Sequence, residues 1–269
     1  MAKVQFTENL KEEYEYLFNT CLIRPERADL VDQTVDSLLA NQARYDAVGH
    51  SMGVPWFFVA AIHNMESSLS FMKHLHNGDP LTGRTVHVPA GRPKDGNPPF
   101  TWEQSAEDAL SLRGLGAATD WSLAGTMYQL EGYNGWGYRL YHPHVLSPYL
   151  WCSSTHYTSG KYVADGTWSD TAVSKQCGSA VLLRRMAENH QIEFTDQPKP
   201  AQEAGPMIVG YGRRKSKDPS LVSRAEDLQR WLNTFPGIFV KVDGIPGDRT
   251  SEAYRQITGS YLPGDPRIA

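Results

Sequence analysis

The chain reads as a mainly α protein of the α+β kind, with one small β-hairpin lobe and a small helical domain at its C-terminal end. Three observations carry this expectation. Apolar residues recur at helical spacing through most of residues 7–193. One segment there, rich in proline and glycine, breaks the helical pattern. A proline-bearing, basic stretch then separates a last short run of helical periodicity. The expected division is 1–194, 195–218 and 219–269.

Leu10, Tyr14, Leu17 and Phe18 fall on one face of a first helix. Val31, Val35, Leu38 and Tyr45 mark a second amphipathic face, with Gly49 as its expected stop. Val54 to Ile62 is apolar on all sides, and Pro55 suits a first helical turn, so a central buried helix is expected there. Between Asn77 and Pro99 lie five prolines and four glycines, which predict an irregular loop or a small hairpin with a strand near Arg84 to Val88. Thr101 and Gln104 have capping-box spacing, so a helix restarts at Thr101. Further helices are expected over Trp121 to Leu130, His144 to Trp151 and Ser169 to His190. Asp165-Gly166, between the strand-like residues of Lys161 to Trp168, signals a hairpin. In the linker, the basic run Arg213-Arg214-Lys215 with Lys217 reads as solvated, or as weakly attracted to anionic polymers. Near the end, Asp243-Gly244 is a turn signal, and Asp248 or Thr250 is placed to cap a helix beginning near Ser251.

At 269 residues the chain is long enough for one sizeable core and a small satellite. A net charge of −4 leaves no nucleic-acid footprint. Three cysteines make no disulfide framework; Cys152 and Cys177 could pair in an oxidising compartment, but free buried thiols are expected. No apolar run reaches the ~18 residues that a membrane span requires. The N-terminus has no basic region followed by an apolar one, so no ordinary signal peptide is expected. Synthesis in the cytoplasm is expected, and the chain as a monomer.

The C-terminal stretch Leu228 to Ala253 combines L-Q-x-x-L-N, then Val242-Asp243-Gly244, then G-x-x-T-x-x-A from Gly247 through Thr250. Over about Asp218 to Leu262 this resembles the three-helix peptidoglycan-binding module of bacterial cell-wall hydrolases. The resemblance implies a wall polymer as partner, with Leu228, Asp243, Gly244, Gly247 and Thr250 as the module's signature. It also implies a route to the wall: release like a phage lysin through a pore made by another protein, or a dedicated secretion machine.

The buried helix ends in His63-Asn64-Met65-Glu66-Ser67-Ser68. A carboxyl at the last turn of an apolar helix is expected to hold its proton, because burial and the negative helix end both disfavour ionisation. Such a group can act as a general acid. The run from Glu66 to Phe71 resembles the catalytic signature of the lysozyme superfamily, in particular goose-type lysozymes and soluble lytic transglycosylases. Glu131-Gly132-Tyr133-Asn134-Gly135-Trp136-Gly137-Tyr138 resembles the Y-N-x-G segment that lines their sugar cleft. These matches span roughly Pro55 to Arg139 and imply a muramidase that needs no metal or organic cofactor. Its acid would be Glu66, and Gln129, Tyr133, Asn134 and Tyr138 would contact the sugars, with Trp136 as a further aromatic candidate. A hydrolase also wants a second carboxylate, roughly 6.5–9.5 Å from the acid when the enzyme inverts. Asp79 is the choice, with Thr85 as a second group to hold the water and Asp95 and Glu103 in reserve. Without such a group, a lytic transglycosylase would close the ring with the sugar's own C6 hydroxyl.

Other readings remain open at this point. Glu66 could be a structural carboxylate paired with His63 or Lys73. A zinc peptidase could draw ligands from His74 with His76, or His142 with His144, although the H-x₆-D partner is missing because His87 and Asp95 are off by one. A wall-binding protein without chemistry is the third. Trp121, Trp151 and Trp168 are expected in the core.

Overall fold

A computed structural model describes residues 4–195 and 209–268. The Thr7 hydroxyl accepts the Leu10 amide at 3.3 Å and starts helix α1, Glu8–Asn19. Leu10, Tyr14, Leu17 and Phe18 are all buried on it, on the expected face. The second amphipathic face is carried by two helices rather than one: α2, Ala28–Ala40, and α3, Gln42–Met52. The break falls at Asn41, whose side chain turns back to donate to the Ser37 carbonyl at 2.9 Å. α2 then packs on a later helix near the end of the domain, while α3 packs on the central one. Gly49 is not the stop. It lies inside α3, where a Cβ would sit 2.5 Å from the Val54 carbonyl oxygen; the left-handed residue that ends α3 is Gly53, at φ 68°.

Helix α4, Trp56–Ser67, is the expected buried helix, with Phe57 to His63 buried without interruption. It packs on α3 and on two later helices, so no face of this stretch meets water. From there to Pro99 the chain is irregular, and no strand forms over Arg84 to Val88. Only an isolated bridge between Lys73 and Pro80 closes the base of the loop. Helix α5, Trp102–Leu112, begins with the full capping box: Thr101 accepts the Gln104 amide at 3.1 Å and Gln104 returns the favour at 2.9 Å.

Helix α6, Leu123–Asn134, follows a Ser122 cap, and the short α7, Gly137–Tyr141, follows directly. Of the helix expected over His144 to Trp151, only α8, Pro148–Trp151, forms, because the residue before Pro148 is extended. The hairpin appears where the Asp-Gly turn predicts it: β1, Lys161–Ala164, pairs antiparallel with β2, Thr167–Ser169. The helix expected from Ser169 starts ten residues late, as α9, Ser179–Glu188. Its entry at Gly178 lies so close to Leu150 that a Cβ would fall 2.2 Å from that carbonyl oxygen. The intervening segment packs over Cys152, whose thiol donates to the Ser174 carbonyl. All three cysteines are free and buried, including Cys152 and Cys177.

The C-terminal unit has its own apolar core, formed by Leu228, Leu232, Ile238, Val240, Ile257 and Leu262 among others. Two helices carry it among the described residues, α10 (Pro219–Leu232) and α11 (Asp248–Thr258), where three were expected. α11 begins at Asp248 rather than near Ser251, after Gly247, and no side chain caps it. The unit also begins earlier than residue 219. Val209 is buried in its core, and Tyr211 and Gly212 donate backbone bonds to Pro263 and Pro246. Residues 196–208 of the expected linker lie outside the described residues.

The two units dock on each other. Phe239 stands edge-on to Phe18 and Phe194, at 5.1 and 5.8 Å between ring centres. Beneath it, the fully buried Arg184 donates to the carbonyls of Phe18, Asn19 and Val240 and to the carboxylate of Glu188. This guanidinium therefore satisfies the C-terminal end of α1, a carboxylate on α9 and a loop of the C-terminal unit at once. Arg184→Met should lower stability by about 3 kcal/mol, because it leaves buried acceptors and a carboxylate short of a partner. Guanidinium denaturation of the two proteins checks this, and an unchanged midpoint would contradict it.

Candidate active site

Glu66 occupies the last turn of α4, where the buried helix reaches the surface. Its Oε1 accepts a hydrogen bond from the Tyr149 hydroxyl at 2.9 Å. Burial pushes its pKa up to about 7, against the opposing pull of that hydrogen bond and of the positive Arg113. Tyr149 in turn is driven well above the ordinary phenol range, by burial first and then by the nearby negative charge of Glu66. Neither base considered as a structural partner is bonded to Glu66. His63 is buried, with Nδ1 against the Tyr45 hydroxyl at 2.9 Å, and burial holds its pKa down at about 4. Lys73 is exposed. The backbone leaves α4 through Ser68 and Leu69, at φ 51° and 60°, two successive left-handed residues that are not glycine. The strained turn thus sits directly behind the acid.

The following loop folds back on the helix end. Gly78 touches the Glu66 carbonyl so closely that a Cβ would lie 2.8 Å from it, and its φ of 79° is one that glycine adopts freely. This places Asp79 next to the helix terminus. Asp79 is buried, and its Oδ2 accepts from the amides of Val86 (2.8 Å) and His87 (3.0 Å) and from Asn77 (3.2 Å). Its Oδ1 accepts from His87 Nδ1 at 2.6 Å. Burial alone would raise its pKa, but the His87 side chain and these amides outweigh it and hold it near 2. Asp79 is therefore the ionised staple of the loop, with spare acceptor capacity only on Oδ1. Thr85 is buried, donates to the Pro89 carbonyl and accepts the Arg92 amide at 2.9 Å, so its hydroxyl is committed to the loop rather than to water. Of the reserves, Asp95 is exposed and Glu103 pairs with Arg44 at 2.6 Å.

Beyond Tyr149 opens a cleft of about 350 Å³. Met65, Asn134, Tyr138, Tyr149, Tyr162 and Lys161 line it, with Ser174 and Gln176 at its edge. Asn134 and Tyr138 are where the sequence puts them. Tyr133 is not a stacking surface: it is buried near Glu66, donates to the Leu75 carbonyl at 3.2 Å and lies under Arg113. Gln129 does not line the cleft; five residues before Asn134, it projects about 140° away around the same helix. Trp136 belongs to the core, against Tyr128 at 4.9 Å. Trp151 is core as expected and Trp121 packs on its edge. Trp168 is not core. It is half-exposed on the hairpin, stacked on His142 at 3.5 Å and 7° and edge-on to Tyr162 at 5.2 Å. Tyr149, Lys161, Tyr162 and Gln176 were not found from the sequence, because each reaches the cleft through tertiary packing and no local pattern marks it.

Neither histidine pair is placed as a ligand set. His74 contacts the Ser105 hydroxyl and the Gly83 carbonyl, both at 2.8 Å, and His76 contacts Asp108 at 2.7 Å, which Arg92 also clamps. His142 is spent on Trp168. Among the described residues no three His, Cys, Asp or Glu side chains gather at metal-binding distance.

In the C-terminal unit Asp243, Gly244 and Thr250 converge on one buried amide. Gln229 accepts the amides of Asp243 and Gly244, both at 2.9 Å, and donates to Asp243, Ile245 and Thr250. Gly244 has φ 72° and touches Val222. Leu228 is fully buried and contributes to the core rather than to a surface. Asp243, Gly247 and Thr250 do line a groove of about 360 Å³, together with Arg213, Lys241 and Arg249.

Compared with known proteins, the chain matches no family model, no curated protein and no solved structure.

Asp79→Ala should free the Val86 and His87 amides and loosen the loop over the acid. Faster hydrogen exchange in residues 77–92 than in α4 checks this, and unchanged protection would contradict it. The sign with pH follows from the lowered pKa: the stabilisation is complete above about 4 and is lost as pH falls towards 2.

Proposed function

We propose that the chain cleaves the β-1,4 bond between N-acetylmuramic acid and N-acetylglucosamine in bacterial peptidoglycan, with Glu66 as general acid. The observation that carries this reading is a carboxyl with a pKa near 7, held by one tyrosine at the end of a buried helix and beside a cleft of tyrosines and amides. A protonated carboxyl in that position can donate to the glycosidic oxygen as the bond breaks. The tyrosine rings and the Asn134 and Gln176 amides offer the apolar faces and amide partners that acetamido sugars require. The groove around Asp243 and Thr250 on the C-terminal unit is the site at which the wall polymer is held.

Two ways to complete the reaction are consistent with this acid. In hydrolysis, Asp79 positions water through Oδ1. A specific observation favours the other: Thr85 and Asp79 Oδ2 already have protein partners. The C6 hydroxyl of the muramic residue then closes the ring, as in lytic transglycosylases.

Glu66→Gln keeps the side-chain shape and removes the transferable proton. Clearing of purified sacculi should fall at least 100-fold, in line with the loss of a general acid. Mass spectrometry of the parent digest should give reducing muramic ends for hydrolysis or 1,6-anhydro ends for transglycosylation. Undiminished clearing by the variant, or cut stem peptides alone, would sink the proposal.

The pH profile follows from the protonated form being the active one. Activity should fall as pH rises through about 7. The Tyr149 hydroxyl stabilises the carboxylate, so Tyr149→Phe should raise the pKa and move that limb to higher pH. A limb that stays in place or moves down would contradict the assignment.

A further inference from the structure

Lys161 lines the cleft beyond Tyr149, on β1 opposite Ser169. Its ammonium forms no ion pair among the described residues. Among the described residues no carboxylate lines the same cleft, so its lining carries one positive charge and no negative one. Beside it in the cleft stand the rings of Tyr138, Tyr149 and Tyr162, with Trp168, itself stacked on His142, edge-on to Tyr162. A flat apolar face next to an unpaired cation suits a sugar ring that bears an anionic substituent.

We propose that Lys161 recognises a carboxylate on the glycan strand and so selects a muramic residue over a plain N-acetylglucosamine residue. This rests on the glycosidase reading above. In the wall polymer the carboxylate has two sources. One is the lactyl group of muramic acid where no peptide is attached; the other is the stem peptide where it is. The neutral N-acetylglucosamine homopolymer has neither. The hairpin thus acts as a specificity element: its rings accept any such sugar, and its lysine distinguishes the charged one.

The test uses the Glu66→Gln protein, which binds without cleaving, and compares it with the same protein carrying Lys161→Met or Lys161→Arg. Three ligands of equal length are titrated calorimetrically: an N-acetylglucosamine hexamer, a peptide-free alternating hexamer and the same hexamer with stem peptides. Lys161→Met should weaken binding of a carboxylate-bearing ligand about tenfold, the size of one charge-assisted hydrogen bond. It should leave the neutral hexamer unchanged, and Lys161→Arg should keep most of the affinity. The charged ligand that loses affinity identifies the source of the carboxylate. Equal loss for all three ligands, or loss for none, would overturn the role of Lys161 while leaving the glycosidase reading intact. Failure of the Glu66→Gln protein to bind any of the three would overturn that reading and this inference with it.

Discussion

A carboxyl group can end a helix that is buried along its length only where something compensates for the missing water. Here that compensation is minimal. Among the described residues one phenol donates to Glu66 and no cation forms an ion pair with it, although the charge of Arg113 acts on it from nearby. The proton is retained because the alternative charge would be poorly solvated. This constraint shapes the surroundings. The chain turns sharply behind the acid through Ser68 and Leu69, the loop is pressed against the helix end at Gly78, and α8 is short but carries Tyr149.

The contrast with three other carboxylates is informative. Glu131 is bound by Tyr14 and Arg139, and Asp79 by backbone amides and His87. Asp108 is shared between His76 and Arg92. These groups hold loops and helices together. Among the described residues Glu66 has the fewest protein partners of the set.

Much of this was legible in the residues. The apolar run of α4, the Thr101 capping box and the Asp-Gly hairpin are local signals whose physics does not depend on the rest of the chain, and each appears where it was read. The place of Glu66 at the end of that helix was legible for the same reason: a lone charge after an apolar run stands out. What could not be read was set by distance in sequence. The break at Asn41 depends on α2 and α3 finding different neighbours, and the late start of α9 depends on the close approach of Gly178 to Leu150. Thr85 carried a signal for polarity but none for the two backbone partners that absorb it. Lys161 and Tyr149 come to the cleft from elements more than eighty residues beyond the acid, and nothing beside them in the chain reveals that.

The expected arrangement was two units on a proline-stiffened leash. Arg184 and Phe239 replace that picture with a bolted joint. Two units fastened in this way keep a fixed angle between the groove at Thr250 and the cleft at Tyr149, so attachment through one dictates the heading of the other. On the function proposed above, a protein built so does not graze around a single anchorage. It lets go and lands afresh, and the interval between landings then governs how far apart its successive marks on a surface fall.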